Sequence, residues 1–355
     1  MKKMLKRFEI RYVKTIVMLS ILVLALLLNA CNTKENYSKY LDLYDYTLVT
    51  LDYKEIEAKE EELDHERSLL LSMKAKKIDI SDDYIKQDDL VNIDYDATIN
   101  NKPFEGGLGK GIDIEIGKGK FLEDLENQMI GKKAQESYTM KVVFPEDFKG
   151  ADNKPSNLAG KEAVFNVRVN KVTRTIYPDY DDAFVLSLNL EQKTTLELDS
   201  YMKNEIEEYN LVERTWDYII ANTNVKKYPK QVDEKVAEIR QYYEMQMVYY
   251  GYISFNQFCL DAFGHTEEEF DNINRKSVEE NTKNEMVANE IARLENIDLD
   301  LQEINQGLKD FMSHYGYTNM DAFLEDYDQE YLKSGILTKK VMEYTAKLTK
   351  VIGKD

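Results

Sequence analysis

Seven of the fifteen glycines in this 355-residue chain fall between Lys102 and Gly131, in the run KPFEGGLGKGIDIEIGKGKFLEDLENQMIG. Such backbone freedom first raises phosphate binding. A P-loop needs Gly-x-x-x-x-Gly-Lys-Ser/Thr opening a helix, and a dinucleotide fingerprint needs three glycines at a strand–helix junction. Here Gly109-Lys110-Gly111 leads into the alternating segment IDIEIG, with no Ser or Thr where a phosphate loop requires one. Metal chemistry has no better footing: His65, His265 and His314 stand far apart, and none belongs to a ligand-spaced pair. No Gly-x-Ser-x-Gly elbow is present for a nucleophilic serine. The pattern calls for no cofactor and no metal.

The elements around that run are legible from their periods. DLVNIDYDATI alternates, with Val91, Ile93 and Tyr95 on one side and Asn92, Asp94 and Asp96 on the other, and NNKP then makes a turn. IDIEIG, SYTMKVVF and EAVFNVRVNKV predict further strands, and GKFLEDLENQMIGKKAQ predicts one short helix bounded by glycines. Residues 86–176 therefore read as a mostly antiparallel sheet curled over a single helix. Ahead of them, residues 47–85 read as a strand, YDYTLVTLDY, and a solvated helical arm, KEIEAKEEELDHERSLLLSMKAKK.

Residues 177–355 turn helical. Met202, Ile206, Tyr209, Val212, Trp216, Ile219 and Ile220 fall on one helical stripe, and further amphipathic helices are expected over about 230–250, 266–295, 300–314 and 321–349. Tyr250-Gly251-Tyr252 and Tyr315-Gly316-Tyr317 echo one another. Each reads as a helix stopped at glycine and restarted by a polar cap, a shared joint and not a repeat array.

A formal charge of −19 argues against nucleic-acid binding, which needs Lys and Arg against phosphates. The basic exception is the start, where Lys2, Lys3, Lys6, Arg7, Arg11 and Lys14 precede an apolar run from Ile16 to Leu28. That run is shorter than the roughly 20 residues of a membrane span. It ends in Leu28-Asn29-Ala30-Cys31, which resembles the lipobox of bacterial lipoproteins. The resemblance implies a signal peptide over 1–30, lipidation at Cys31, a mobile tether over 31–46 and a lipid-anchored, extracytoplasmic place at the cell membrane. An uncleaved anchor is the alternative. Cys259, in the apolar stretch 255–263, reads as a small core residue.

The order of motifs then narrows the class. After the strand holding Tyr95 come Phe104-Glu105-Gly106-Gly107, Gly117-Lys118-Gly119 and Phe121-Leu122-Glu123-Asp124-Leu125. Phe144-Pro145-Glu146-Asp147-Phe148, Leu158-Ala159-Gly160-Lys161 and Ala163-Val164-Phe165 follow. This order resembles the FKBP-type peptidyl-prolyl isomerase domain, most closely the version inside trigger factor, a bacterial folding chaperone. Pro178-Asp179-Tyr180-Asp181-Asp182-Ala183-Phe184 resembles the junction to that chaperone's helical C-terminal domain.

The resemblance implies an α+β fold: a small antiparallel FKBP-like sheet curled over one helix, followed by an all-α trigger factor-like C-terminal chaperone domain. It assigns the catalytic pocket to Tyr95, Phe104, Glu105, Phe121, Leu122, Leu125 and Phe165, with Phe148 and Leu158 bordering it for substrate. The backbone N–H of Leu122 would bind the substrate carbonyl. It implies unfolded or partly folded chains with X-Pro bonds as partners. Ribosome binding is not expected, because only the tail of a ribosome-docking domain is visible. Leu125 stands where the family has an aromatic pocket floor, and Glu105 stands where many members have Asp, although trigger factors commonly carry Glu. The expected function is therefore a membrane-anchored, extracytoplasmic isomerase and chaperone for secreted proteins. The alternative is a binding-only holdase with a vestigial pocket; an importer's solute-binding lipoprotein would instead need two similar α/β lobes.

Overall fold

The computed structural model describes residues 36–119, 121–149 and 156–354. The signal segment expected over 1–30, Cys31 and the first part of the tether lie outside them. The described chain forms two compact units, one of residues 64–188 and one of the residues up to 63 together with those from 189 onward.

The stretch expected as a mobile tether is folded where it is described. Leu41 and Tyr46 are buried, strand β1 covers Leu41–Asp42, and the Tyr37 N–H donates to Glu290 at 3.0 Å. Two apolar side chains spaced five apart leave no period to read, yet each fills a place in the helical core. The strand expected over 44–53 is shorter, because Asp45 caps a 3-10 turn at Tyr46–Leu48 before β2, Thr50–Asp52. Asp52 and Glu55 then form a capping box on α1, Tyr53–Ile56. Helix α2, Glu60–Lys74, is the expected arm, with three glutamates in its first turn and Lys74 in its last, matching its dipole.

The sheet of the first unit is antiparallel throughout. It comprises β3 (Lys76–Ile80), β4 (Leu90–Ile99), β5 (Lys102–Glu115), β6 (Ser137–Val143) and β7 (Glu162–Ile176). β7 organises it, pairing with β4 over Val164–Thr173, with β6 over Glu162–Arg168 and with β3 over Val172–Ile176. The end of the arm thus joins the sheet, and the boundary expected at 86 falls inside this unit. Asn100 and Asn101 both take positive φ, 52° and 59°, in the two-residue hairpin loop between β4 and β5. The first half of the glycine-rich run, with Gly106, Gly107, Gly109 and Gly111, is not a loop but the fourteen-residue β5.

Helix α3, Glu123–Met129, crosses the sheet's inner face with Leu125 and Met129, one turn apart, both fully buried. Asp124 accepts from the Val143 N–H at 3.0 Å and Gln128 donates to the Lys141 carbonyl at 2.7 Å, so the helix covers the open edge of β6. At the other end of the sheet, Arg174 grips the buried Asp89 with two bonds of 2.7 Å and reaches Asp83 at 2.6 Å. Helix α4, Asp182–Ser187, closes this unit under an Asp181 cap.

The second unit is built on α5 (Thr195–Asn222), whose Met202, Ile206, Trp216 and Ile219 are buried as the stripe predicts, while Tyr209 is exposed. Strand β8 (Asn224–Val225) follows, then α6 (Gln231–Tyr249), α7 (Phe255–Phe263), α8 (Glu267–Glu295) and α9 (Leu301–His314). The helix expected over 321–349 is two, α10 (Met320–Asp326) and α11 (Gln329–Leu348), because the Asp328 side chain caps a new start by accepting from the Tyr331 N–H. Strand β9 (Lys350–Ile352) pairs in parallel with β2, and β8 pairs with β1, tying the early segment to the helices.

Both Tyr-Gly-Tyr joints are present. Gly251 and Gly316 take φ of 80° and 76°, and the amides of Tyr252 and Tyr317 reach back to Met247 and Met312 at 3.0 and 2.9 Å. Those are Schellman closures. Ser254 and Asn319 then cap the next helices, and Phe258 and Phe323 fold back to 5.4 Å from Tyr252 and Tyr317.

Candidate functional site: an aromatic cluster over a glycine strand

Strand register explains how the expected pocket residues meet. Tyr95 on β4 stands opposite Gly109 on β5 and Val167 on β7, while Phe165 stands opposite Ala97. With no side chain at Gly109, the Tyr95 ring lies over the bare backbone, where a Cβ would meet Cε1 at 2.3 Å. Its ring centroid is 5.5 Å from Phe165 and 5.6 Å from Phe121. Burial raises the phenol above its ordinary pKa, and the hydroxyl donates to the Gly106 carbonyl at 3.2 Å.

A second group of rings adjoins the same core. Phe104 is 5.9 Å edge-to-face from Phe144, which is 4.8 Å from Phe148. Phe104, Phe121, Phe148 and Leu158 are partly buried against the core, whereas Leu122, Leu125 and Phe165 belong to it. Such ring pairs add about 0.5–1.5 kcal/mol beyond their area. Of the nine pocket residues expected from sequence, eight gather on this core. Glu105 does not: its side chain is exposed on β5, since alternation along the strand turns it away from the face that holds Phe104.

Three contributors escaped the sequence reading. Phe144 links Phe104 to Phe148, and its place in the motif FPEDF was the available signal. Gly109 makes room for Tyr95, visible only once the register is known. Glu126, fully buried, accepts from Gly117 and Gly119 at 2.8 and 3.0 Å and from Phe121 at 3.0 Å. Two shallow depressions lie at the rim. One of about 410 Å³ runs past Leu122, Asn127, Phe144 and Glu146, and one of about 260 Å³ past Asp94, Tyr95, Lys110 and Arg168. The first borders the ring cluster and α3; the second is lined by charged side chains and has the less suitable chemistry for a prolyl ring. Among the described residues no cluster of His, Cys, Asp and Glu is arranged to hold a metal.

This sheet, helix and ring cluster define an FKBP-type domain. The family model for FKBP-type peptidyl-prolyl cis-trans isomerase matches residues 82–170, and that for the bacterial trigger factor C-terminus matches residues 188–347. The chain is trigger factor-like, an FKBP-type isomerase domain followed by the trigger factor C-terminal domain. Trigger factor of Caldicellulosiruptor bescii is 27% identical over 323 residues, covering 88% of this chain and 72% of that protein. Trigger factor of Acetivibrio thermocellus is 26% identical over 325 residues, covering 88% and 73%. A solved structure described as "Promiscuous Substrate Recognition in Folding and Assembly Activities of the Trigger Factor Chaperone" matches over 86% of this chain and 72% of that one, at 14% identity and a TM-score of 0.41.

These relatives overturn the location expected from the N-terminal residues. Trigger factor is a cytoplasmic chaperone, so the lipid-anchored, extracytoplasmic placement is corrected. A basic stretch followed by a short apolar run is a pattern that buried segments also produce. Cys31 lies outside the described residues, and among those described no helix is long and apolar enough to cross a membrane.

Proposed function

We propose that the chain is a folding chaperone whose ring cluster catalyses cis-trans isomerisation of X-Pro bonds in partly folded polypeptides. The observation that carries this is the half-buried Tyr95, packed between Phe121 and Phe165 over Gly109. Rotation about X-Pro crosses ~18–20 kcal/mol because planar resonance is lost. The twisted amide is less dipolar than the planar one, so a dry aromatic surface favours it over the ground state. That requires no nucleophile, base or metal. Tyr95, Phe104, Phe121 and Phe165 supply the apolar contact, Phe148 and Leu158 border it, and the Leu122 N–H takes the substrate carbonyl.

The helical unit supports the chaperone half of the reading. Met245, Val248, Tyr249, Tyr250 and Ile253 are all exposed around the first Tyr-Gly-Tyr joint, an apolar tip on an otherwise acidic chain. An X-Pro peptide titrated against the full chain tests the site. Exchange broadening of its cis and trans resonances, with shifts at the Leu122 amide, is the expected result.

Leu125 favours a second reading, a holdase without catalysis, because it is sealed in the core where an aromatic floor would face substrate. Suppressed aggregation without exchange broadening would select it.

A further inference from the structure

Helix α3 begins without an ordinary cap. Its N-cap residue, Leu122, has no side-chain acceptor, and its first turn would leave amides unsatisfied beside the ring cluster. The helix's own Glu126 does not cap those amides and instead binds the segment that leads into the helix. Glu126 is fully buried, a position Glu almost never takes without partners. Its Oε2 accepts from Gly117 and Gly119 at 2.8 and 3.0 Å, and its Oε1 accepts from Phe121 at 3.0 Å. Gly117 and Gly119 lie past the end of β5 with φ of 82° and 63°, so no ladder bond fixes them. On the far side, the Lys118 ammonium pairs with Asp88 at 2.7 Å. The turn that presents Phe121 and Leu122 is therefore clamped from within by one carboxylate.

We propose that Glu126 is a positioning residue for isomerisation, its buried carboxylate gathering the amides of Gly117, Gly119 and Phe121 so that the Phe121 ring is held against Tyr95 and the Leu122 N–H that follows it is fixed in place. This rests on the isomerase reading given above. Charge-assisted bonds to three amides are the stronger class of hydrogen bond, and together they restrict both ends of the turn. A glutamine of the same shape keeps one acceptor oxygen and turns an NH2 toward the amides it replaces.

The test uses the full chain with 15N-glycine and 15N-phenylalanine labels, comparing the parent with Glu126→Gln and Glu126→Asp. Glu126→Gln is expected to fold with a lowered melting temperature, because buried amides lose their acceptor, to move the Gly117, Gly119 and Phe121 amide resonances upfield, and to lower kcat. A misplaced contact of this kind costs about tenfold or more in kcat, with KM within about twofold. Unchanged kcat with shifted amides would overturn the proposal and leave Glu126 a purely structural group. If Glu126→Gln fails to fold, Glu126→Asp decides on the same readouts; failure of both to fold also overturns it. A parent without isomerase activity would instead mark the failure of the isomerase reading itself.

Discussion

A β-carbon at Gly109 would lie 2.3 Å from the Tyr95 ring and 2.9 Å from Ile112. The backbone of Gly109 has no positive φ, so the constraint there is steric alone. Gly109→Ala should force the Tyr95 ring off Phe121 and Phe165. Overpacking of this kind costs about 1–3 kcal/mol. Chemical denaturation should show that loss, and isomerase activity should fall with it; full activity would mean that Tyr95 does not need its present place.

Arg174 and Asp89 make the second prediction. Asp89 is 1% exposed and held by a two-bond fork. Arg174→Ala strands a buried charge, and such changes cost about 3–5 kcal/mol. Arg174→Lys should recover little, because an ammonium cannot reproduce the fork. The pH dependence has a definite sign. Lys86 first, then Arg174, hold the Asp83 carboxyl well below its ordinary 3.8. Its contribution is present above that ordinary value and lost as pH falls toward the depressed one. The parent should therefore lose stability in acid more steeply than Arg174→Ala, as thermal melts between about pH 5 and pH 2 would show.

The alkaline side tests the second Tyr-Gly-Tyr joint. Tyr317 donates to Asp326 at 2.5 Å, and that bond first, burial second, pushes its phenol up to about 12. A raised acid contributes stability below its ordinary value of 10, lost as pH climbs through about 12. Ultraviolet titration of Tyr317→Phe should lack one late-ionising phenol. An unchanged late phase would show that Tyr317 ionises normally.

Cys259 should be inert in the native chain. It is fully buried beside Phe255 and Phe258, and burial pushes its thiol up to about 11. Peptide mapping after treatment with a thiol reagent at neutral pH should find Cys259 unmodified until denaturant is added. Rapid native labelling would contradict its place in the core.

Much of this was legible in the sequence because burial and periodicity agreed. Val91 and Ile93 alternate on β4 and are fully buried, and Met202, Ile206, Trp216 and Ile219 face inward as spaced, with Tyr209 the exposed exception. The Tyr-Gly-Tyr joints were readable because a positive-φ glycine and a polar cap mark a helix end locally. Glu126 was not readable, since a glutamate in a charged helix looks solvated, and its donors converge on it only through the turn past β5. Leu41 and Tyr46 were too sparse to show a period. The break before Asp328 was hidden because the apolar spacing runs on through it. The N-terminal pattern misled about location because its residues fit more than one fate.

The isomerase claim is tested most directly by refolding of a proline-limited substrate protein with catalytic amounts of the full chain. The parent should accelerate the slow phase in proportion to its concentration. Phe104→Ala opens the contact with Phe144 and should lose about tenfold or more of that acceleration at an unchanged melting temperature of the helical unit. A slow phase unmoved by the parent at micromolar concentration would contradict the account.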